Sequence, residues 1–330
     1  MNKMERVRAA LRGEPVDRPP YSFWTHFPDI DLDPDRLAQT TIAFARELDL
    51  DFVKAMPNGQ FCTEDWGVVS DFSDVAKGGV ARVVTPAIRT PEDWRKIGRL
   101  DVSLGAFGRE LDHLATLCDT LGDEVAVLAT TFSPLTVAQK LSGALDYRTH
   151  LHSDPEPVLQ ALSQIAATMA DFARAALDRG CAGVFFATQE SSTDRMDLQT
   201  YQRFGQPYDQ IVLEAAQSAW FNVIHMHGEN VMFDLLRTYP VTALNWHIGE
   251  TPPLLRDYVI SAQRKPVVGG LQRAALTQGD LPTIRSDIRD AMQATGGRGL
   301  LFGPGCVIRH PVDRAILQRV IQEIRDTTHN

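Results

Sequence analysis

The chain has 330 residues, 44% of them hydrophobic, enough to bury a sizeable core as one or two domains. Its formal charge of −9 and pI near 5.5 argue against binding nucleic acid or an anionic membrane surface. No apolar run approaches the ~20 residues that span a bilayer. The charged, amphipathic start is unlike a secretion signal, and four scattered cysteines read as reduced thiols, so a cytoplasmic protein is expected.

In chain order, the amphipathic opening helix leads to a first predicted strand at 20–24. Further strands are predicted at 51–56, 124–132, 182–188, 221–227, 242–246, 265–270 and 299–305. Several are near-continuous β-branched or aromatic runs, as parallel strands buried on both faces require. Helical patterns separate them, notably 155–180, which ends in Arg179-Gly180, and 281–294. Eight strands alternating with helices predict a single (β/α)8 TIM barrel over residues 1–330. The gap at 57–123 breaks this rhythm. Within it, alternating apolar residues flank Lys77-Gly78-Gly79, which predicts a β-hairpin inserted after the second strand. No strand runs into a GxGxxG loop, which disfavours an open dinucleotide-binding sheet.

In a TIM barrel, chemistry sits at the C-terminal strand ends. Those ends deliver Trp24 and His26, then Gln189 and Glu190, then His225 and His227, then His247, and finally Cys306, Arg309 and His310. Five of the nine histidines therefore gather at one face. Strand side chains alternate, so His225 and His227, two apart, point the same way. Cys306 follows the last strand in the turn "GPGC" and is placed to meet them. Two imidazoles and a thiolate make a reasonable zinc set, leaving a fourth position for substrate, water or a carboxylate such as Glu190 or Glu229. Singly, each residue has an ordinary structural role, an H-x-H pair in a strand or a small buried cysteine. Their convergence points to a metal.

Five stretches, in order, resemble the uroporphyrinogen decarboxylase-like superfamily along essentially the whole chain. "MERVRAALRGEPVDRPPYSFW" looks like its opening helix and first strand, and "ATTFSPLTVAQKLSG" like its third-strand region. "VIHMHGEN" is similar to the H-x-C-G segment of its methyltransferase branch. "PVVGGLQ" and "LLFGPGCVIRHPVDRAILQRVIQ" resemble its last strands. The resemblance implies a (β/α)8 barrel and one of two chemistries. One branch decarboxylates a tetrapyrrole without metal or cofactor. The other comprises corrinoid-dependent methyltransferases, such as methylcobamide:coenzyme M methyltransferases, which hold zinc.

The decarboxylase branch carries arginines near its first strand, whereas no lysine or arginine lies between Arg18 and Arg36 here. The methyltransferase zinc positions correspond to His225, His227 and Cys306. His227 stands where thiol-methylating members have cysteine, which leaves a bound zinc more positive and suits polarising oxygen or nitrogen. A zinc-dependent transfer of methyl between a methoxy, methylamine or thiol group and a corrinoid is therefore expected. Glu190 and His247 are the catalytic candidates, and Trp24, His26, Gln189 and Arg309 the substrate-binding ones. No D-x-H-x-x-G motif is present, so the corrinoid (cobalamin) is expected on a separate partner protein; the resemblance also suggests a homodimer. The alternative is a metal-free decarboxylase, with Arg309 or Lys54 anchoring a carboxylic acid and Asp71 or Asp74 relaying protons.

Overall fold

The computed structural model describes residues 1–28, 30–145, 147–259 and 264–327. It has an α/β fold built on a curled parallel sheet of seven strands. The strands, with those of a separate hairpin, are β1 (Phe52–Lys54), β2 (Val69–Asp71), β3 (Arg82–Thr85), β4 (Ala126–Phe132), β5 (Gly183–Thr188), β6 (Val223–Met226), β7 (Ala243–Trp246), β8 (Val267–Leu271) and β9 (Leu300–Pro304). Spatial order follows the chain from β1 through β4 to β9, and β2 and β3 form the antiparallel pair. The predicted hairpin is thus present, between β1 and β4. The predicted helices at 155–180 and 281–294 are observed as Pro155–Asp178 and Leu281–Thr295.

The predicted strand at 20–24 is not a regular strand. It is extended and makes isolated bridges from Tyr21 to Phe302 and from Thr25 to Ile308. Pro19 and Pro20 explain this, because neither offers an N–H to a ladder. The segment nevertheless touches both edges of the sheet. Ser22 N donates to Phe302 O (3.0 Å), and Asp51 N donates to Tyr21 O (3.0 Å). This arrangement is consistent with a TIM-like barrel.

Strand alternation sorts the side chains into two cores. Phe52, Leu128, Phe185, Val223, Ala243, Val268 and Leu301 form an inner cluster, closed at the N-terminal end by Val7 and Ala10 of the opening helix. Their strand neighbours Val53, Val127, Val184, Ile224, Leu244, Val267 and Phe302 face outward into the helix layer. Every residue of β4 and β5 is buried, as expected of strands covered on both faces.

A buried ion cluster secures the junction of the 20–25 segment with β1. Asp51 is fully buried and accepts from Arg6 (2.7 Å), Arg18 (2.5 Å) and the Tyr21 N–H (2.9 Å). Removing the carboxylate strands two guanidinium groups that are only 9% and 13% exposed. Asp51→Ala is expected to destabilise the fold by about 3–5 kcal/mol, measured by urea unfolding. A loss below about 1 kcal/mol would show that the junction does not depend on this charge.

Candidate metal centre

The same alternation that places Val223 and Ala243 inside brings His225, His227, Asn245 and His247 to the inner face. β6 and β7 pair in register, with His225 opposite Asn245. His225 and Asn245 therefore form one layer, and His227 and His247 lie above it, past the strand ends. Ring centroids are 5.9 Å apart for His225 and His247, and 5.0 Å for His227 and His247. Cys306 arrives from the turn after β9. That turn passes so close to the end of β7 that a Cβ at Gly305 would sit 2.9 Å from Trp246 O and 3.0 Å from His247 Cα. Only glycine permits this approach, which brings the thiol to the histidines.

One ligand atom from each of His225, His227, His247 and Cys306 lies within 4.8 Å of all the others. Cys306 Sγ is 3.6 Å from His227 Nδ1, about the S···N edge (~3.6 Å) of a tetrahedron with zinc-type bond lengths. His247 Nε2 is buried and has no hydrogen-bond partner among the described residues. Such an orphaned nitrogen fits a site built for a cation. His247, expected from sequence as an acid or base, is thus brought together with His225, His227 and Cys306.

Asn245 prepares His225 for this role. Its Nδ2 donates to Val268 O (2.6 Å) and Pro304 O (3.2 Å), which turns Oδ1 toward His225 Nδ1 at 2.5 Å. An oxygen there requires Nδ1 to carry the proton, leaving the Nε2 lone pair free. His247 Nδ1 has Glu250 3.7 Å away. Electrostatics agree with this reading. Burial, reinforced by His227 and His247, pushes the His225 pKa well below the ordinary value. Burial also drops His227 to about 3 and lowers His247. Burial thus favours the neutral form of all three imidazoles, the form a metal would require. Burial raises the Cys306 thiol, which a bound cation would deprotonate.

His225, His227 and Cys306 line a cavity of about 690 Å³, with Trp24, His26, Gln189, Glu190, Arg309 and His310 also on its wall. His247 is not on that wall. Burial lowers the His26 pKa to about 4, and its Nδ1 has no partner among the described residues. Glu190 accepts from Tyr147 Oη at 2.9 Å. Glu229 is exposed and is not among the lining residues, so its carboxylate is not gathered into the site. Arg309 donates to the carbonyls of Gly78 (3.3 Å) and Gly79 (3.1 Å), tying the hairpin loop over the cavity. Asp71 and Asp74 bind Arg82 within the hairpin. Sequence reasoning passed over Asn245, Lys140, Arg195 and Arg273; the inward alternation of β7 would have marked the first.

Fold and site together define an α/β protein with a metal-competent cluster at the C-terminal rim of a curled parallel sheet. The chain belongs to the uroporphyrinogen decarboxylase (URO-D) family, whose model matches residues 2–327. It is 20% identical over 333 residues to methylcobamide:CoM methyltransferase MtbA of Methanosarcina acetivorans, covering 96% of each chain. It is 22% identical over 306 residues to uroporphyrinogen decarboxylase of Solibacter usitatus, covering 89% of this chain and 84% of that one. Among solved structures, a methyltransferase from Methanosarcina mazei superimposes with a TM-score of 0.86 at 18% identity, over the full length of both chains. A B12-independent methionine synthase from Shewanella shares the fold at a TM-score of 0.57 and 10% identity. Relatives named for both chemistries match about equally, so the residues of the site must decide between them.

Replacing Asn245 by leucine removes the acceptor at His225 Nδ1 and leaves two main-chain carbonyls unpaired. Asn245→Leu is expected to weaken zinc binding 10–100-fold, read by competition with a chromogenic chelator. Unchanged affinity would mean that His225 is not oriented by this amide.

Proposed function

We propose that the chain is a zinc-dependent methyltransferase that moves a methyl group between a heteroatom of a small molecule and a corrinoid on a separate protein. The observation that carries this reading is the convergence of three imidazoles and one thiol within 4.8 Å, two of the imidazoles and the thiol lying on the wall of a cavity of about 690 Å³. Similarity to MtbA, named as a methylcobamide:CoM methyltransferase, supports the same reaction class. We read the sheet as an eight-stave barrel, with the 20–25 segment as its eighth stave and residues 57–123 as an insertion in a single domain.

In this reading His225, His227 and Cys306 would hold the metal, and the fourth position would be taken by His247 or, when substrate is bound, by the substrate heteroatom. A zinc so held would supply Lewis acidity toward the heteroatom that gains or loses methyl. The chain's own residues do the rest. The imidazoles are neutral, and the single thiol, once deprotonated by a bound cation, would contribute the only protein charge, so a zinc centre here would remain cationic. That suits an oxygen or nitrogen substrate better than a thiol. Glu190, fixed by Tyr147, faces the cavity as the acid or base for the heteroatom's proton. Trp24, His26 and Gln189 shape the pocket, and the cavity mouth beneath the hairpin is where the corrinoid protein docks.

The metal-free decarboxylase reading needs proton relays at Asp71 or Asp74. Both instead pair with Arg82 and are absent from the cavity wall.

Purified protein is expected to contain one equivalent of zinc by elemental analysis, falling at least tenfold in Cys306→Ser and His227→Ala. Methyl transfer to or from free cobalamin, followed by its visible spectrum, should fall in parallel. Zinc-free wild type that releases carbon dioxide from a carboxylic acid, or full zinc in His227→Ala, overturns the proposal.

A further inference from the structure

Lys54 is a charged residue of the cavity that the metal reading leaves unused. It ends β1, points inward in the same alternation as Phe52, and is only 6% exposed. Its ammonium rests on the Met56 sulfur and on the faces of Phe185 (4.7 Å) and Trp24 (5.9 Å). Among the described residues no carboxylate lies within ion-pair distance of it. A buried ammonium without a counter-charge is costly, and burial lowers its pKa to about 7. Lys54 lines the same cavity as His225, His227 and Cys306.

Its surroundings do not supply the missing charge. The described lining holds two lysines and four arginines against two carboxylates. Arg82 is paired with Asp71 and Asp74, and Arg273 with Glu250, three carboxylates outside the lining. That leaves Lys54, Lys140, Arg195 and Arg309 without a carboxylate in ion-pair distance among the described residues. Lys140, half-buried over Phe132 at 5.1 Å, likewise has no carboxylate in ion-pair distance among the described residues. One of the two carboxylates, Glu190, already accepts from Tyr147. The concentration of positive charge therefore faces the cavity, and its walls are flat rings: Trp24, Phe132 and Phe185.

We propose that the small molecule taken by this cavity is an aromatic carboxylate, its acid group against Lys54 and its methyl-bearing heteroatom toward the His–Cys cluster. This rests on the methyltransferase reading for the orientation of the heteroatom only. A volume of about 690 Å³ falls within the ~300–1,000 Å³ of pockets for drug-sized ligands. A two-carbon thiol would leave most of it unfilled. A methylammonium ion would be repelled by the cationic wall, and a neutral methyl ether would leave Lys54 unpaired.

The test is calorimetric titration of the full chain, zinc-loaded and zinc-stripped, with 3-methoxybenzoate, 3-methoxybenzyl alcohol and coenzyme M. Methoxybenzoate is expected to bind at least tenfold more tightly than the alcohol. Lys54→Met should erase most of that preference at unchanged zinc content, while Lys54→Arg keeps it. Equal binding of acid and alcohol overturns the proposal, as does tighter binding of coenzyme M than of the aromatic acid, or an intact preference in Lys54→Met. If Lys54→Met does not fold, the wild-type comparison of the three ligands decides. A benzoate preference without zinc uptake sinks the metal reading but supports the anion site.

Discussion

The rim of the sheet is organised by one side-chain amide. Asn245 lies on β7, yet it hydrogen-bonds main-chain carbonyls of β8 and β9 and the imidazole of His225 on β6. An amide has a fixed arrangement of donors and acceptor. Once its two N–H groups are committed to backbone, its oxygen has one direction left, and the tautomer of His225 follows. The level of this layer then sets the height of the next, where His227 and His247 stand. A buried amide left half-satisfied would be costly, so the strands at this level are held in relation to the ligand cluster itself.

Around this clamp, burial does most of the electrostatic work. It keeps three imidazoles neutral and holds back ionisation of the thiol, so the cluster as folded carries little charge of its own. The cavity beside it is the reverse, a cationic interior in an acidic chain. Net charge therefore describes how the molecule meets other macromolecules, whereas the local field decides what enters the cavity. The absence of lysine and arginine between Arg18 and Arg36 was a sound observation about one segment. It did not extend to the cavity, whose cations come from β1, β3, the helices Pro134–Ser142 and Arg273–Gln278, and the loops after β5 and β9.

Much of this was legible beforehand, and the reason is period-two alternation. It paired His225 with His227 and pointed them inward, and it marked the hairpin around Lys77-Gly78-Gly79. It also applied to Lys54 and Asn245, but a neutral amide in an apolar strand reads as packing until its partners are known. The 20–25 segment looked like a strand because its aromatic residues are strand formers; the two prolines before Tyr21 removed the donors a ladder needs. His247 looked like a lone acid or base because nothing in the sequence reveals how closely the turn at Gly305 passes the end of β7. Glu229 follows the histidines in sequence, yet the turn at Gly228, with φ of 98°, carries the chain away from the cluster to the surface.

The contact between Arg309 and the hairpin has a mechanical side. Arg309 stands three residues beyond Cys306 on one short loop, and its guanidinium grips the backbone of Gly78 and Gly79. The roof of the cavity is thus hung from the strap that carries the thiol. Displacing the hairpin would therefore break the hydrogen bonds of Arg309, which belongs to the same loop as Cys306.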